Sequence, residues 1–207
     1  MALRYEINLK PNVTFTLGMR CAKPDEVVYA AISSISQAAP AAITTASPHG
    51  LLTGWPVWVE SVKGMVEINN PRPDDCHNNT VCPPYIADLS NTTAVTLRGV
   101  NARGFGAYRG SGVLAWQTPW DVTGFIGTFA VTDDDTGATL FDLASNVADL
   151  DGVITIDGAN ATVSLRIEAT ATVVPTTTQS ASYTFTLTDP SDDNRVYLLA
   201  QGPIKVS

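Results

Sequence analysis

The densest set of reactive side chains lies between Pro71 and Pro84, where the sequence reads PRPDDCHNNTVCPP. Cys76, His77 and Cys82 supply two thiols and an imidazole, which zinc accepts, but the usual pair of cysteines two residues apart is missing. The five residues between the cysteines suit a disulfide that closes a short loop and adds about 2 to 3 kcal/mol of stability. The spacing therefore favours a disulfide over a metal centre.

The chain has two histidines, so a catalytic triad would need His49 or His77. Thr45 and Ser47 lie close to His49 in sequence and could supply a nucleophilic hydroxyl. Nucleophilic catalysis also needs an orienting carboxylate and an oxyanion hole, and no signature of either is visible. We therefore expect the imidazole of His49 to cap backbone groups at the entrance of a strand.

Two acidic runs, Asp133 to Asp135 and Asp189 to Asp193, could gather oxygen ligands for Ca²⁺. Neither follows the residue order of an EF-hand loop, and both are rich in the residue types of hairpin turns. A glycosidase would need two carboxyl groups about 5 to 9.5 Å apart in a cleft. Short turns carry both acidic runs, and short turns do not form a cleft. We predict solvated turns at both runs, no cofactor and no enzyme activity.

The four tryptophans are more typical of contacts with other molecules than of catalysis. In the strand-like sequence WPVWV, Val57 and Val59 share one face by period-two parity, so Trp58 should point to the other. An outward tryptophan is typical of interface centres, although packing beneath the cysteine-containing loop of the same chain is an alternative. Trp116 and Trp120 are expected to form an apolar seam between two domains. The candidate interface residues are therefore Trp55, Trp58, Trp116 and Trp120.

The overall composition narrows the possible partners. Of 207 residues, 44% are hydrophobic and 15% charged, and 12 Lys and Arg against 20 Asp and Glu give a net charge of −8. Binding to a nucleic-acid backbone needs a basic footprint, so nucleic acid is not an expected partner. No apolar run approaches the ~18 residues of a membrane span, and the N-terminus lacks the order of a signal peptide. We expect a chain that is made in a cytoplasm and binds no membrane.

The chain is rich in β-branched residues, which indicates that strands position these side chains. With 25 Thr, 20 Val and 11 Ile, the composition favours pleated strands over helices. Period-two alternation occurs in several runs, including Val163 to Ile167 and Tyr183 to Leu187. Short strands separated by turns are typical of sandwiches and barrels. Only Pro24 to Ser36 and Glu168 to Val174 are predicted to be helical.

Several short motifs between Ile43 and Ala115 resemble a known module. They are an HGL turn at His49, a TG turn at Thr53, the strand GMVEIN from Gly64 and the ending GFGAYRGSG from Gly104. The pattern is similar to the small β module, related to the first catalytic-cysteine-half domain of ubiquitin-activating enzymes, that recurs in virion proteins of tailed phages. The resemblance implies a small β-barrel-like scaffold without ubiquitin chemistry, because the adenylation machinery is absent.

The flanking sequence resembles a second phage family, the β-sandwich at the N-termini of baseplate adaptors for receptor-binding proteins. The matching stretches are Thr14 to Arg20, Asp121 to Gly124, Asp151 to Ile156, Tyr183 to Asp189 and Val196 to Val206. The resemblance implies an all-β fold in which an immunoglobulin-like sandwich, residues 1–23 plus 117–207, carries the module of residues 27–115 as an insertion. Such insertions succeed at exposed loop tips.

Together the resemblances imply a structural virion component of a tailed phage, made in the bacterial cytoplasm and acting through symmetric protein–protein contacts. It would be an adaptor, a collar, tail or baseplate component, or a decoration protein of the capsid surface, because no heptad segment is present for a fibre shaft. Its partners would be other virion proteins and copies of itself. The alternative is a glycan-binding module in which Trp55 or Trp58 stacks on a sugar of the host surface.

Overall fold

Strands form nearly all the regular structure of the protein. The computed structural model describes residues 3–4, 6–10, 12–72, 83–169 and 180–206. Within these residues there is no α-helix, and a single 3-10 turn covers Val66–Ile68. The all-β prediction is therefore confirmed. No helix in this part of the chain is long and apolar enough to cross a membrane.

The strands of the described residues are, in chain order, β1 Leu3–Arg4, β2 Ile7–Leu9, β3 Phe15–Arg20, β4 Ala22–Ile35, β5 Ala41–Thr45, β6 Trp55–Glu60, β7 Tyr85–Leu89, β8 Ala94–Leu97, β9 Val113–Pro119, β10 Ile126–Asp133, β11 Thr139–Ala144, β12 Gly152–Asp157, β13 Thr162–Ile167, β14 Ala181–Asp189 and β15 Arg195–Val206.

The predicted helix over Pro24 to Ser36 is wrong, because nearly all of this segment belongs to the long strand β4. Its side chains alternate with period two: Ala30 and Ile32 are buried, whereas Tyr29 and Ala31 are exposed. The first part of β4 pairs with β9 and the last part with β5. Pairing on this scale overrides a weak local helix signal. Most of the second predicted helix, Glu168 to Val174, lies outside the described residues.

The chain divides into two compact units, one of residues 1–21 with 120–207 and the other of residues 22–119. The ranges predicted from the sequence, 1–23 with 117–207 and 27–115, place the two boundaries a few residues away. Each unit has its own sheets.

Two sheets build the first unit. The larger has the order β1-β15-β14-β10-β11, with β2 also paired to β15, and the smaller has the order β12-β13-β3. Alternate residues are buried, as in β13, where Val163, Leu165 and Ile167 face inward. Side chains of both sheets share one hydrophobic core, in which the rings of Phe129 and Tyr183 lie 5.5 Å apart. The unit is therefore a β-sandwich.

A closed barrel forms the second unit, with its strands in the order β4-β5-β8-β7-β6-β9. Because each of these strands has a neighbour on both sides, the barrel avoids the unpaired edges of an open sheet. The fully buried side chains of this unit include Ile43, Trp55, Val95, Leu97 and Leu114.

Backbone packs directly on backbone where two glycine motifs of the barrel unit meet. Gly64 has a φ of +86°, and a Cβ on it would overlap the carbonyl oxygen of Ala107. A Cβ on Gly106 would likewise overlap the carbonyl oxygen of Gly64. The motifs GMVEIN and GFGAYRGSG therefore lie against each other, and glycine is required where they touch.

Candidate interaction surfaces

Trp55 and Trp116 are core residues of the barrel unit. Trp55 is fully buried, and its indole nitrogen donates a hydrogen bond to the carbonyl oxygen of Gln117 at 2.8 Å. Trp116 is also buried. Both rings are covered by their own chain, so neither offers the outward surface expected of an interface residue or the open face that stacking on a sugar requires.

Trp58 points in the direction that its parity predicts. It pairs with Ala115 of β9, whereas Val59 pairs with the buried Leu114, so the two side chains lie on opposite faces of β6. The ring is nevertheless only 8% exposed, and its indole N–H has no hydrogen-bond partner among the described residues. The predicted direction agrees with this register, and the low exposure fits the alternative in which the ring is covered within its own chain rather than the interface hypothesis. Parity reports the face of a strand and not what covers that face.

Trp120 differs from the other three tryptophans because it is partly exposed and belongs to the sandwich unit. Its ring meets Phe125 edge-on at 5.3 Å and Tyr197 edge-on at 4.7 Å. The Arg195 guanidinium lies 5.3 Å from the centre of the Tyr197 ring. These contacts make Trp120 part of an aromatic cluster within its own unit.

His49 is held by backbone groups on both sides of its ring. Its Nδ1 accepts a hydrogen bond from the Leu51 amide at 3.1 Å, which leaves the proton on Nε2 to be donated to the Asn91 carbonyl oxygen at 3.1 Å. The ring is buried. The predicted capping role is confirmed, and no ring nitrogen remains for a nucleophile or a metal.

The acidic runs form turns, as predicted. Asp133 ends β10, and its Oδ1 accepts hydrogen bonds from the amides of Asp135 and Thr136 at 2.9 and 2.7 Å. Asp189 accepts from the hydroxyl and the amide of Ser191, and these hydrogen bonds lower the pKa of its carboxyl group. Asp133 is buried, however, so the prediction of a fully solvated run is wrong at that residue.

No acidic or thiol cluster in the described residues resembles a metal site. Cys21 is a buried free thiol, and burial raises its pKa to about 11, so it is protonated at neutral pH. Cys76 and Cys82, the candidate disulfide, lie outside the described residues together with His77.

The outward face of the larger sheet has an uncharged area on its three central strands, which ends at Lys205 of β15. We call this surface the threonine face. It consists of Ile126, Thr128, Ala130 and Thr132 of β10, Ser182, Thr184, Thr186 and Thr188 of β14, and Val196, Leu198, Gln201 and Pro203 of β15. Val196 is 61% exposed and Leu198 is 40% exposed. These two neighbouring aliphatic side chains add an exposed apolar patch to the uncharged area, which a partner could cover.

The outward face of the smaller sheet is different, because charges are spread across it. Arg20 of β3, Arg166 of β13 and Asp157 of β12 all point outward on exposed positions. Arg166 forms an ion pair with Glu168 at 3.0 Å. Val153 of β12 is the exposed aliphatic residue of this face.

No protein-family model matches the chain. No curated protein matches it either.

A second apolar surface lies on the loop that joins β11 to β12. Leu150 of this loop is 93% exposed, and Val147 is also exposed. The loop passes a shallow groove lined by Thr123, Gly124, Phe125, Ile126, Ser145, Asn146, Ile154, Ile156 and Gly158. The threonine face and this loop are therefore two places in the sandwich unit where a pair of exposed aliphatic residues lies close together in the chain.

Proposed function

We propose that the protein is a structural virion component of a tailed phage, which assembles symmetrically with copies of itself and with other virion proteins. It is an adaptor, a collar, tail or baseplate component, or a capsid-surface decoration protein. The motifs from His49 to Gly112 and from Asp121 to Asp189 support this proposal through their resemblance to two kinds of phage virion domain.

The threonine face is the observation that carries the proposal. Protein interfaces place few charges at their centres, and apolar and uncharged groups there exclude water. A chain with 15% charged residues that keeps those charges off the centre of one sheet face is suited to bind another protein through that centre. Enzyme chemistry has no comparable support, since His49 is occupied by backbone groups and Asp133 and Asp189 cap their own turns.

The finer fold assignment is part of the same proposal. The sandwich is of the immunoglobulin-like type found in baseplate adaptors, and the barrel is the inserted module related to the catalytic-cysteine-half domain. Its support is that DVTG at Asp121, DGVITI at Asp151 and the strand from Tyr183 all belong to the sandwich unit, whereas HGL at His49 belongs to the barrel unit.

Immunogold electron microscopy of purified particles, with antibodies raised against the recombinant chain, tests the function. We expect gold at a fixed, symmetric position on intact particles, and the chain in stoichiometric amounts in their protein profile. A chain that is present in the infected-cell lysate but absent from particles would refute the proposal. An unrelated cytoplasmic protein of the host, probed in the same fractions, controls for carry-over.

A further inference from the structure

The threonine face has a raised apolar end and a hollow end. Val196 and Leu198 of β15 project at the first end. At the second end is an open groove of about 400 Å³, lined by Glu6, Ser182, Tyr183, Thr184, Gln201, Gly202 and Pro203. One face thus carries both an apolar projection and a hollow, and the one carboxylate in the lining of that hollow, Glu6, is paired with Lys205 at 2.9 Å.

The strand register puts the two ends at matching distances from the middle of the face. Leu198 of β15 pairs with Thr186 of β14, and Gln201 of β15 pairs with Thr184. They therefore lie one position to either side of the level of Phe185. Val196 and Pro203 lie three residues to either side. Two copies can stack with their threonine faces together, related by a two-fold axis that lies between the sheets, perpendicular to the strands, at the level of Phe185. Leu198 of one copy then lies over Gln201 of the other, and Val196 over Pro203.

We infer that two copies of the chain associate through their threonine faces, related by this two-fold axis, with each apolar end seated on the groove of the other copy. The inference rests on the proposed function, which names copies of the chain as partners. An isologous two-fold contact is the commonest kind of self-association. Two stacked sheets with nearly aligned strands, about 10 Å apart, are a common packing of β structure.

The charges favour a second copy of the chain on this face. A chain of net charge −8 repels its own copies, and the repulsion is weakest where neither surface is charged. At the rim, Glu6 and Lys205 neutralise each other at 2.9 Å. Asp142 of the edge strand β11 lies level with Ala130, and the same axis sets it over Ala144 of the other copy rather than over a second carboxylate.

The available area suits a weak to moderate dimer. The three strands of the threonine face and the neighbouring β11, spaced about 4.8 Å apart and taken over the nine residues of β14 at about 3.4 Å each, give roughly 600 Å² per copy. Two copies would bury roughly 1,200 Å² at full coverage, which is at the lower limit of the range for specific interfaces. We therefore expect an equilibrium that concentration shifts, and not a permanent dimer.

Sedimentation equilibrium from about 1 to 300 μM tests the contact. We expect the wild-type chain to dimerise reversibly, and Leu198→Asp to raise the dissociation constant about tenfold or more, because it puts a carboxylate at the centre of the interface. Val153→Asp is the matched control, since it makes the same change at a similarly exposed aliphatic residue of the opposite face. It should dimerise like the wild type, and circular dichroism must show that both variants are folded.

A complementation experiment tests the direction of the axis. An equimolar mixture of Leu198→Asp and Gln201→Lys chains should form a heterodimer more tightly than either variant forms a homodimer, because one Asp then faces one Lys. An axis parallel to the strands would instead set Leu198 over β10, near Thr128, so Thr128→Lys is the matched control and should not rescue.

Three results would overturn the inference: a wild-type chain that stays monomeric over the whole range, equal dissociation by Leu198→Asp and Val153→Asp, or rescue by Thr128→Lys alone. These failures are separate from failure of the proposed function. A chain that labels particles but does not dimerise through this face refutes only the contact. A chain that dimerises as expected but is absent from particles refutes only the virion role.

Discussion

The barrel and sandwich units treat their large apolar side chains differently. In the barrel unit the exposed ones, Tyr29, Val66 and Leu89, lie on three different elements. In the sandwich unit, two of the exposed ones, Val196 and Leu198, are neighbours within the uncharged threonine face. A closed barrel has no unpaired strand edges, whereas an open sandwich has edge strands and open sheet faces to which a partner can bind.

The largest expected effect comes from removing a ring that the barrel has fully enclosed. Trp55→Ala should lower the free energy of unfolding by about 3 to 5 kcal/mol, because it leaves a large cavity. It also removes the hydrogen bond to the Gln117 carbonyl oxygen. Hydrogen exchange read by mass spectrometry should show lost protection in peptides of residues 22–119.

Trp120→Ala is the control for that comparison, because this ring is partly exposed and lies in the sandwich unit. It should cost about 1 to 2 kcal/mol, with the loss of protection confined to residues 120–207 and 1–21. If either substitution lowered protection equally in both units, the two units would not be separately stable.

A second prediction concerns the glycine contact of the barrel unit. Gly64→Ala should cost about 3 kcal/mol, since it combines a left-handed backbone with overlap onto the Ala107 carbonyl oxygen. Gly110→Ala is the matched control: its φ is +95°, but a Cβ there meets nothing within 4 Å, so only about 1 kcal/mol of backbone strain is expected. Chemical denaturation measures both. Equal losses would mean that the backbone contact contributes nothing.

Local patterns predict the strands well because a strand's signal is contained in a few residues. The alternation in Val163 to Ile167 and Tyr183 to Leu187 identifies β13 and β14 and their inward faces. The role of His49 could also be predicted, because its hydrogen bond with the Leu51 amide lies within the turn, although the one to the Asn91 carbonyl oxygen is long-range. The helix over Pro24 to Ser36 could not be excluded, because much of β4 is fixed by pairing with β9, which is remote in sequence.

The surfaces were harder to predict than the strands. Parity gives the direction of Trp58, but whether a ring is covered depends on chain segments that approach from elsewhere. The threonine face has a signal in the sequence, since Thr184, Thr186 and Thr188 alternate with buried residues. That signal becomes a surface only when the register sets β10 and β15 beside β14.

A smaller effect is expected in how two carboxylates, Asp88 of the barrel unit and Asp121 of the sandwich unit, stabilise the fold against acid. Side-chain hydrogen bonding from Arg98 lowers the pKa of Asp88 in the barrel unit, and side-chain hydrogen bonding from Thr123 lowers the pKa of Asp121 in the sandwich unit. A carboxylate with a lowered pKa stabilises the fold above its unfolded pKa of ~3.9. That contribution is lost as the pH falls through the lower pKa of the folded state.

Salt should distinguish the two carboxylates. Asp88 and Arg98 form an exposed ion pair at 2.6 Å, so about 1 M NaCl should screen part of the acid-dependent stability that Asp88→Asn removes. The contribution that Asp121→Asn removes should persist, because its partner is a neutral hydroxyl. Thermal unfolding from pH 5 to pH 2.5, with and without salt, measures this difference. An equal response to salt would contradict the assignment of the two causes.

The smallest expected effect is at Leu150, the most exposed aliphatic residue among the described residues of the sandwich unit. Because its side chain is 93% exposed, Leu150→Ser should change the free energy of unfolding by less than about 0.5 kcal/mol. Leu143→Ala, in the adjoining strand β11, removes a buried side chain and should cost about 2 to 5 kcal/mol. Denaturation of both variants at low micromolar concentration, where association is weak, makes the comparison. A marked loss at Leu150 would mean that this side chain already supports the fold, and that surface would no longer count as one left open for a partner.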